Sequence, residues 1–304
     1  MINDQELIGC IYKRLKKENI ANLPVGLRGG LMGIALFMCL YSKYYKRPIS
    51  IKEYLINPLI KFRKLPFNIL EGKIGIGWGI RYLELQGFIE EDESLNKLYK
   101  TIYFAYFNKF SVLPVYWVEN EPLFSIGVFM SQMFVKENSL KMYTIEELLI
   151  AYIDECEYLL LYPIRNIYSP KHMPLSMLHS LLFFLQEMNK YQIYPFMVNK
   201  LLNIIPSIYK SARNKNIIDE FVYRTLNHEY MNISNKISSD KIFYFLGEMG
   251  FYSLLYHSPE IFKNAYSQIE KQYNNFPNYV KQKLTDYSVN LDTLCGWGYG
   301  LLNN

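Results

Sequence analysis

Apolar positions along this chain recur at helical spacing. Between Ile51 and Phe62 they fall at Ile51, Tyr54, Leu55, Pro58, Leu59 and Phe62, close to the i, i+3, i+4, i+7 pattern of one helix face. Strict apolar/polar alternation over six or more residues, the mark of a half-buried strand, is hard to find. Start signals support the helical reading. Ser50 and Glu53 have the spacing of a capping box, and Thr144 and Glu147 repeat it before Leu148-Leu149-Ile150. Ser258-Pro259-Glu260 places a capping residue before a proline in the first turn. The pattern predicts an all-α chain of about a dozen helices. Turns such as Lys46-Arg47-Pro48 and Asn274 to Asn278 separate them, and Asn214 to Asn216 reads as a polar loop. No Gly/Ser-rich linker or charge run divides the chain, so a single domain over 1–304 is expected.

A short motif repeats within this pattern: glycine, two residues, glycine, then an apolar helix. It occurs as Gly30-Leu31-Met32-Gly33, as Gly72-Lys73-Ile74-Gly75 and as Gly247-Glu248-Met249-Gly250. The segment Leu70-Glu71-Gly72-Lys73-Ile74-Gly75-Ile76-Gly77-Trp78-Gly79-Ile80 also overlays on Leu291-Asp292-Thr293-Leu294-Cys295-Gly296-Trp297-Gly298-Tyr299-Gly300-Leu301. Weaker copies lie at Phe124 to Val128 and at His172 to Leu178, where Ser176 takes the second glycine's place. Anchored on that second small residue, the copies stand at 33, 75, 127, 176, 250 and 296, spacings that suit one helical hairpin each. A glycine in a helix costs about 1 kcal/mol relative to alanine. A cost repeated at one register predicts close backbone approach there. Six or seven hairpins follow. The apolar last copy, ending at Leu301-Leu302, favours a closed ring over an open array that needs polar end caps.

Half the residues are apolar and 16% aromatic, which supplies a large core and excludes a disordered chain. The net charge of +5 is modest, and the basic residues look scattered, so nucleic acid is not expected as a partner. Cys10, Cys39, Cys156 and Cys295 form no close pair and read as reduced thiols. The start, Met1 to Glu6, does not resemble a secretory signal. The longest apolar run, Leu31 to Tyr41, is too short to span a membrane. A cytoplasmic protein is the expectation.

The repeated Gly-x-x-Gly at helix starts, and above all the stretch Gly75-Ile76-Gly77-Trp78-Gly79-Ile80-Arg81-Tyr82-Leu83-Glu84-Leu85-Gln86-Gly87-Phe88-Ile89, resembles the lanthionine synthetase C-like family. The resemblance implies an α/α toroid of two concentric helical layers and a role in modifying ribosomally made peptides. It also implies zinc, held by two Cys and one His, as the family cofactor that presents a peptide thiolate to a dehydroamino acid. Those ligands are missing here. Phe245 stands at the first ligand position, Leu291 and Asp292 fall at the adjacent pair, and Cys295 lies off the motif. No metal ligand and no cofactor is therefore expected, and whether the chain is an enzyme is left open.

The resemblance also marks His172, just before a repeat, as a candidate proton donor, whereas His179 reads as a packed helix residue. If the repeat starts line a ring mouth, Glu71, Trp78, Asp292, Trp297 and Tyr299, with Arg28, would form a binding floor. The favoured expectation is a zinc-free, non-cyclase relative that binds a precursor peptide or a partner peptide-modifying enzyme. The alternative is an active peptide cyclase or a carbohydrate-acting toroid using His172 and the pocket carboxylates.

Overall fold

The computed structural model describes residues 4–110, 117–134, 139–161, 173–212, 215–233, 236–273, 276–285 and 289–303. Among these the chain is all-α, with fourteen α-helices, two short 3-10 turns and no strand. The chain divides into two compact units. The first holds both ends of the sequence, Met1–Pro66, Leu70–Gly72 and His228–Asn304. The second holds Phe67–Ile69 and Lys73–Asn227.

Unit one contains α1 (Asp4–Leu15), α2 (Leu31–Tyr45), α3 (Lys52–Lys61), α11 (Ile242–Leu255), α12 (Pro259–Gln272), α13 (Phe276–Thr285) and α14 (Leu291–Leu302). Three of these are buried on nearly every side and sit inside. Ten of the twelve residues of α14 are buried, as are twelve of fourteen in α11 and eleven of fifteen in α2. The others are one-sided: α12 buries four of fourteen residues and α3 only Tyr54 and Pro58. A helix apolar all round needs neighbours on all sides, whereas a one-sided helix belongs at the surface. The packing follows: α14 lies against α11, α2 and α1, while α12 covers α11 and α3 covers α2.

Unit two contains α4 (Lys73–Leu85), α5 (Glu93–Phe110), α6 (Trp117–Phe134), α7 (Ser139–Leu161), α8 (Leu175–Lys190), α9 (Pro195–Ser211) and α10 (Ile217–Leu226). Its inner series is α4 against α6 and α6 against α8, and α4 buries eleven of its thirteen residues. The helices α5, α7, α9 and α10 pack on these. In α9 the buried set Met197, Val198, Leu201, Ile205 and Ile208 forms a single stripe. His179 of α8 is buried, its Nε2 3.4 Å from an oxygen of Asp219.

The glycine register has its clearest physical cause where α11 crosses α14. A Cβ on Gly250 would lie 1.8 Å from the carbonyl oxygen of Gly296, and one on Gly296 would lie 1.9 Å from that of Gly247. Two backbones touch there, so no side chain fits between them.

Two helix starts differ from the sequence expectation. α3 begins at Lys52 with Ile51 as its cap and no side-chain capping bond, so Ser50 lies outside the helix. α7 begins at Ser139, which puts Thr144 and Glu147 inside it. A Ser/Thr–Glu spacing is common within helices too, and only the direction of the incoming chain makes it a cap. Ser258 and Pro259 do open α12. Asn216 and Asn290 act as caps, each accepting a backbone N–H three residues on.

Candidate functional site

The site in unit one forms where α2, α11 and α14 begin. The loop from Pro24 to Gly30 leads into α2 and folds back on itself, with the Leu31 N–H donating to the Pro24 carbonyl at 2.9 Å. On one flank it lies on the repeat segment before α4: the Arg28 N–H donates to the Leu70 carbonyl at 2.9 Å, and a Cβ on Gly26 would lie 2.7 Å from the Glu71 Cα. On the other flank Gly29, at φ +60°, sits against the Asp292 carboxylate, which occupies the place a Cβ would take. Glycine is required here twice over, by backbone conformation and by space. Gly29, Glu71 and Asp292 hold the same register in their repeat copies, four residues before the second glycine.

This loop projects Arg28 into a cluster of acids. Its guanidinium hydrogen-bonds the Glu248 carboxylate of α11, donates to the Tyr244 hydroxyl at 3.3 Å and lies 3.7 Å from Asp292. Its carbon stands 6.0 Å from the Phe251 ring centre. Burial disfavours the guanidinium's charge, but Glu248 and then Tyr244 more than offset this, so its pKa is held above the ordinary arginine value. The Glu248 side chain is 6% exposed, so Arg28 is its neutralising partner. The Asp292 carboxyl is pushed up chiefly by burial; Arg28 opposes the shift and Glu71 adds to it. Glu71 is exposed. Arg28 thus stands between the carboxylates of Glu248 and Asp292, with Glu71 close enough to act on Asp292.

Beside it is a cavity of about 180 Å³, lined by Asp240, Phe243, Tyr244, Lys283, Val289, Asn290 and Thr293. Tyr244 belongs to both the cavity and the ion cluster. A space of this size admits one side chain or a few waters.

The sequence-based candidates fall into three groups. Glu71 and Asp292 come together with Arg28 as described. Trp297 and Tyr299 belong to the same unit but fill its core. The Trp297 indole donates to the Phe243 carbonyl at 2.8 Å, and the Tyr299 hydroxyl donates to the Gly33 carbonyl at 2.6 Å. Neither ring has an exposed face, so they support the floor from beneath. Trp78 is fully buried in unit two, stacked on Tyr82 at 5.5 Å. His172 lies outside the described residues. Glu248 and Tyr244 were missed. A signal existed for the first, because Glu248 is the one charged residue among the fourteen of α11.

The residues at the zinc-ligand register do not fit a metal. Phe245 is buried and offers no donor, and Leu291 offers none. Asp292 is engaged with Arg28. The Cys295 thiol is pushed up by burial, away from the thiolate that zinc requires. Among the described residues no group of three His, Cys, Asp or Glu side chains is placed to share a metal ion.

Comparison with family models, with curated proteins and with solved structures gave no match. Among the described residues no helix is long and apolar enough to cross a membrane.

Proposed function

We propose that this chain is a lanthionine synthetase C-like protein that binds a peptide and does not use zinc. Its ligand would be a precursor peptide, or a segment of a partner modification enzyme, carrying a basic group. The observation that carries the reading is the Arg28–Glu248–Asp292 ion cluster, in which Asp292 takes one of the family's ligand positions while Phe245 and Leu291 take the others. Asp292, half-buried at the edge of the cluster, is the carboxylate that would accept an ammonium or guanidinium, and the neighbouring cavity can take an adjoining side chain. An α/α toroid of paired inner and outer helices is the architecture proposed with it. One fact supports that shape: helices buried on all sides and helices buried on one side occur together within each unit. The proposed setting is cytoplasmic peptide modification.

The test has two arms on the full chain. After incubation with zinc and dialysis, elemental analysis is expected to find no stoichiometric metal. Fluorescence anisotropy is expected to show lysine-rich peptides binding more tightly than their glutamate-substituted versions, with at least a fivefold loss in Asp292→Asn. One zinc per chain, with thioether closure of a peptide containing cysteine and dehydroalanine, would refute the proposal. So would equal binding of both peptide sets.

A further inference from the structure

The chain's excess positive charge is concentrated in one exposed segment of unit one. Residues 43–64 hold seven of the chain's 33 basic residues and one of its 28 acids. This segment alone therefore exceeds the charge of +5 on the whole chain, and the remainder is nearly neutral. The basic residues are Lys43, Lys46, Arg47, Lys52, Lys61, Arg63 and Lys64, and every one is exposed.

The same segment shows an unusual apolar face. α3 rests on α2 through Tyr54 and Pro58, and Phe62 is buried just beyond its end. On the opposite side stand Ile56, Leu59 and Ile60, exposed by 46, 42 and 73%. At 100° per residue these three centre on one line, with Lys52 at its start. Tyr44, 43% exposed, adds an aromatic with a polar tip at the end of α2. Apolar side chains this open, spaced i, i+3, i+4 in a segment with seven cations and one acid, are a poor solution for a face that meets only water.

We infer that α3 and the adjoining end of α2 dock on an anionic lipid surface. Three features select this occupant. The charge is complementary to acidic headgroups. The aliphatic tips protrude from a convex helix, which suits a fluid bilayer, whereas a peptide or protein needs a groove or a shaped counterpart. Nucleic acid would use the same cations but prefers stacking aromatics to isoleucine. Lys and Arg stems would lie along the headgroups, with Ile56, Leu59 and Ile60 entering the acyl boundary. The attachment is peripheral.

The experiment is co-sedimentation of the full chain with phosphatidylcholine vesicles, with and without phosphatidylserine, at low and high salt. Binding is expected only with phosphatidylserine, and it should weaken as salt rises. Replacing Lys52, the cation on the same line as the three apolar residues, by Gln should reduce binding roughly fivefold. Ile60→Ser should reduce it by about tenfold while leaving the salt dependence intact. Both side chains are exposed, so unchanged far-ultraviolet circular dichroism is expected and separates lost docking from lost folding. No binding to phosphatidylserine vesicles at low salt overturns the inference, as does binding that these variants leave unchanged. A short RNA or a polyglutamate peptide captured by the same surface in preference to vesicles also overturns it.

Discussion

The closest test of how unit one is assembled is Gly296→Ala. In an open helix this change stabilises by about 1 kcal/mol, because alanine restricts the unfolded chain and suits the helix. At position 296 the new Cβ would lie 1.9 Å from the Gly247 carbonyl oxygen, where ordinary contact begins near 3.4 Å. The helices must separate by about 1.5 Å, since the obstacle is backbone and cannot rotate away. A gap of even 0.5–1 Å forfeits roughly a quarter to a half of each dispersion contact it opens. α14 buries Leu294, Cys295, Trp297 and Leu301 in this region, so the loss is shared by large side chains. Overpacking at such a site costs about 3 kcal/mol, and the helix preference returns about 1. The net loss of about 2 kcal/mol corresponds to a fall in Tm of roughly 4–8 °C. Gly9→Ala in α1 is the paired measurement. Its Cβ would meet nothing within 4 Å, so Tm should rise or hold. Both are read by scanning calorimetry. Equal shifts of the same sign for the two variants would refute the close-crossing argument.

Other perturbations separate structural from functional roles. Tyr299→Phe removes the hydroxyl that donates to Gly33 and should cost about 1–2 kcal/mol in urea denaturation, with peptide affinity unchanged. Asp292→Asn should do the reverse. Its carboxyl is raised by burial, so the folded state takes up its proton more readily and the charged form loses stability as pH rises through that pKa. The amide removes this penalty, so stability at neutral pH should hold or increase while binding of basic peptides falls. Asp219 has the opposite sign. Burial alone would raise its carboxyl, but His179 and Asn216 hold it below the ordinary aspartate value. Its contribution is present above the unfolded pKa near 4 and is lost as pH falls through the folded one. Asp219→Asn should therefore be less stable than the parent at pH 7, by a margin that shrinks as pH falls below the unfolded pKa near 4, measured by urea titration at each pH.

The sequence alone determined what depends on neighbours a few residues away. Helical periodicity made the chain all-α, as it is in the described residues, because the 3.6-residue repeat is a local property. The glycine register marked close backbone approach at Gly33, Gly250 and Gly296, whereas at Gly127 the close neighbour is the Tyr152 ring. It did not say that Gly250 would meet Gly296, because that pairing joins residues far apart and depends on how whole helix faces interlock. Glu71, Asp292 and Arg28 were legible as candidates from their places beside the repeat. Glu248 as the partner of Arg28 was not, because the bond spans most of the chain. The tryptophans look alike in sequence whether they floor a pocket or fill a core, and only tertiary burial decided for the core. The basic cluster of 43–64 can be counted in the sequence, but that α3 leaves Ile56, Leu59 and Ile60 exposed within it is a result of packing. Local spacing assigns residues to helices, and only packing decides which side of a helix meets another and which is left to a partner.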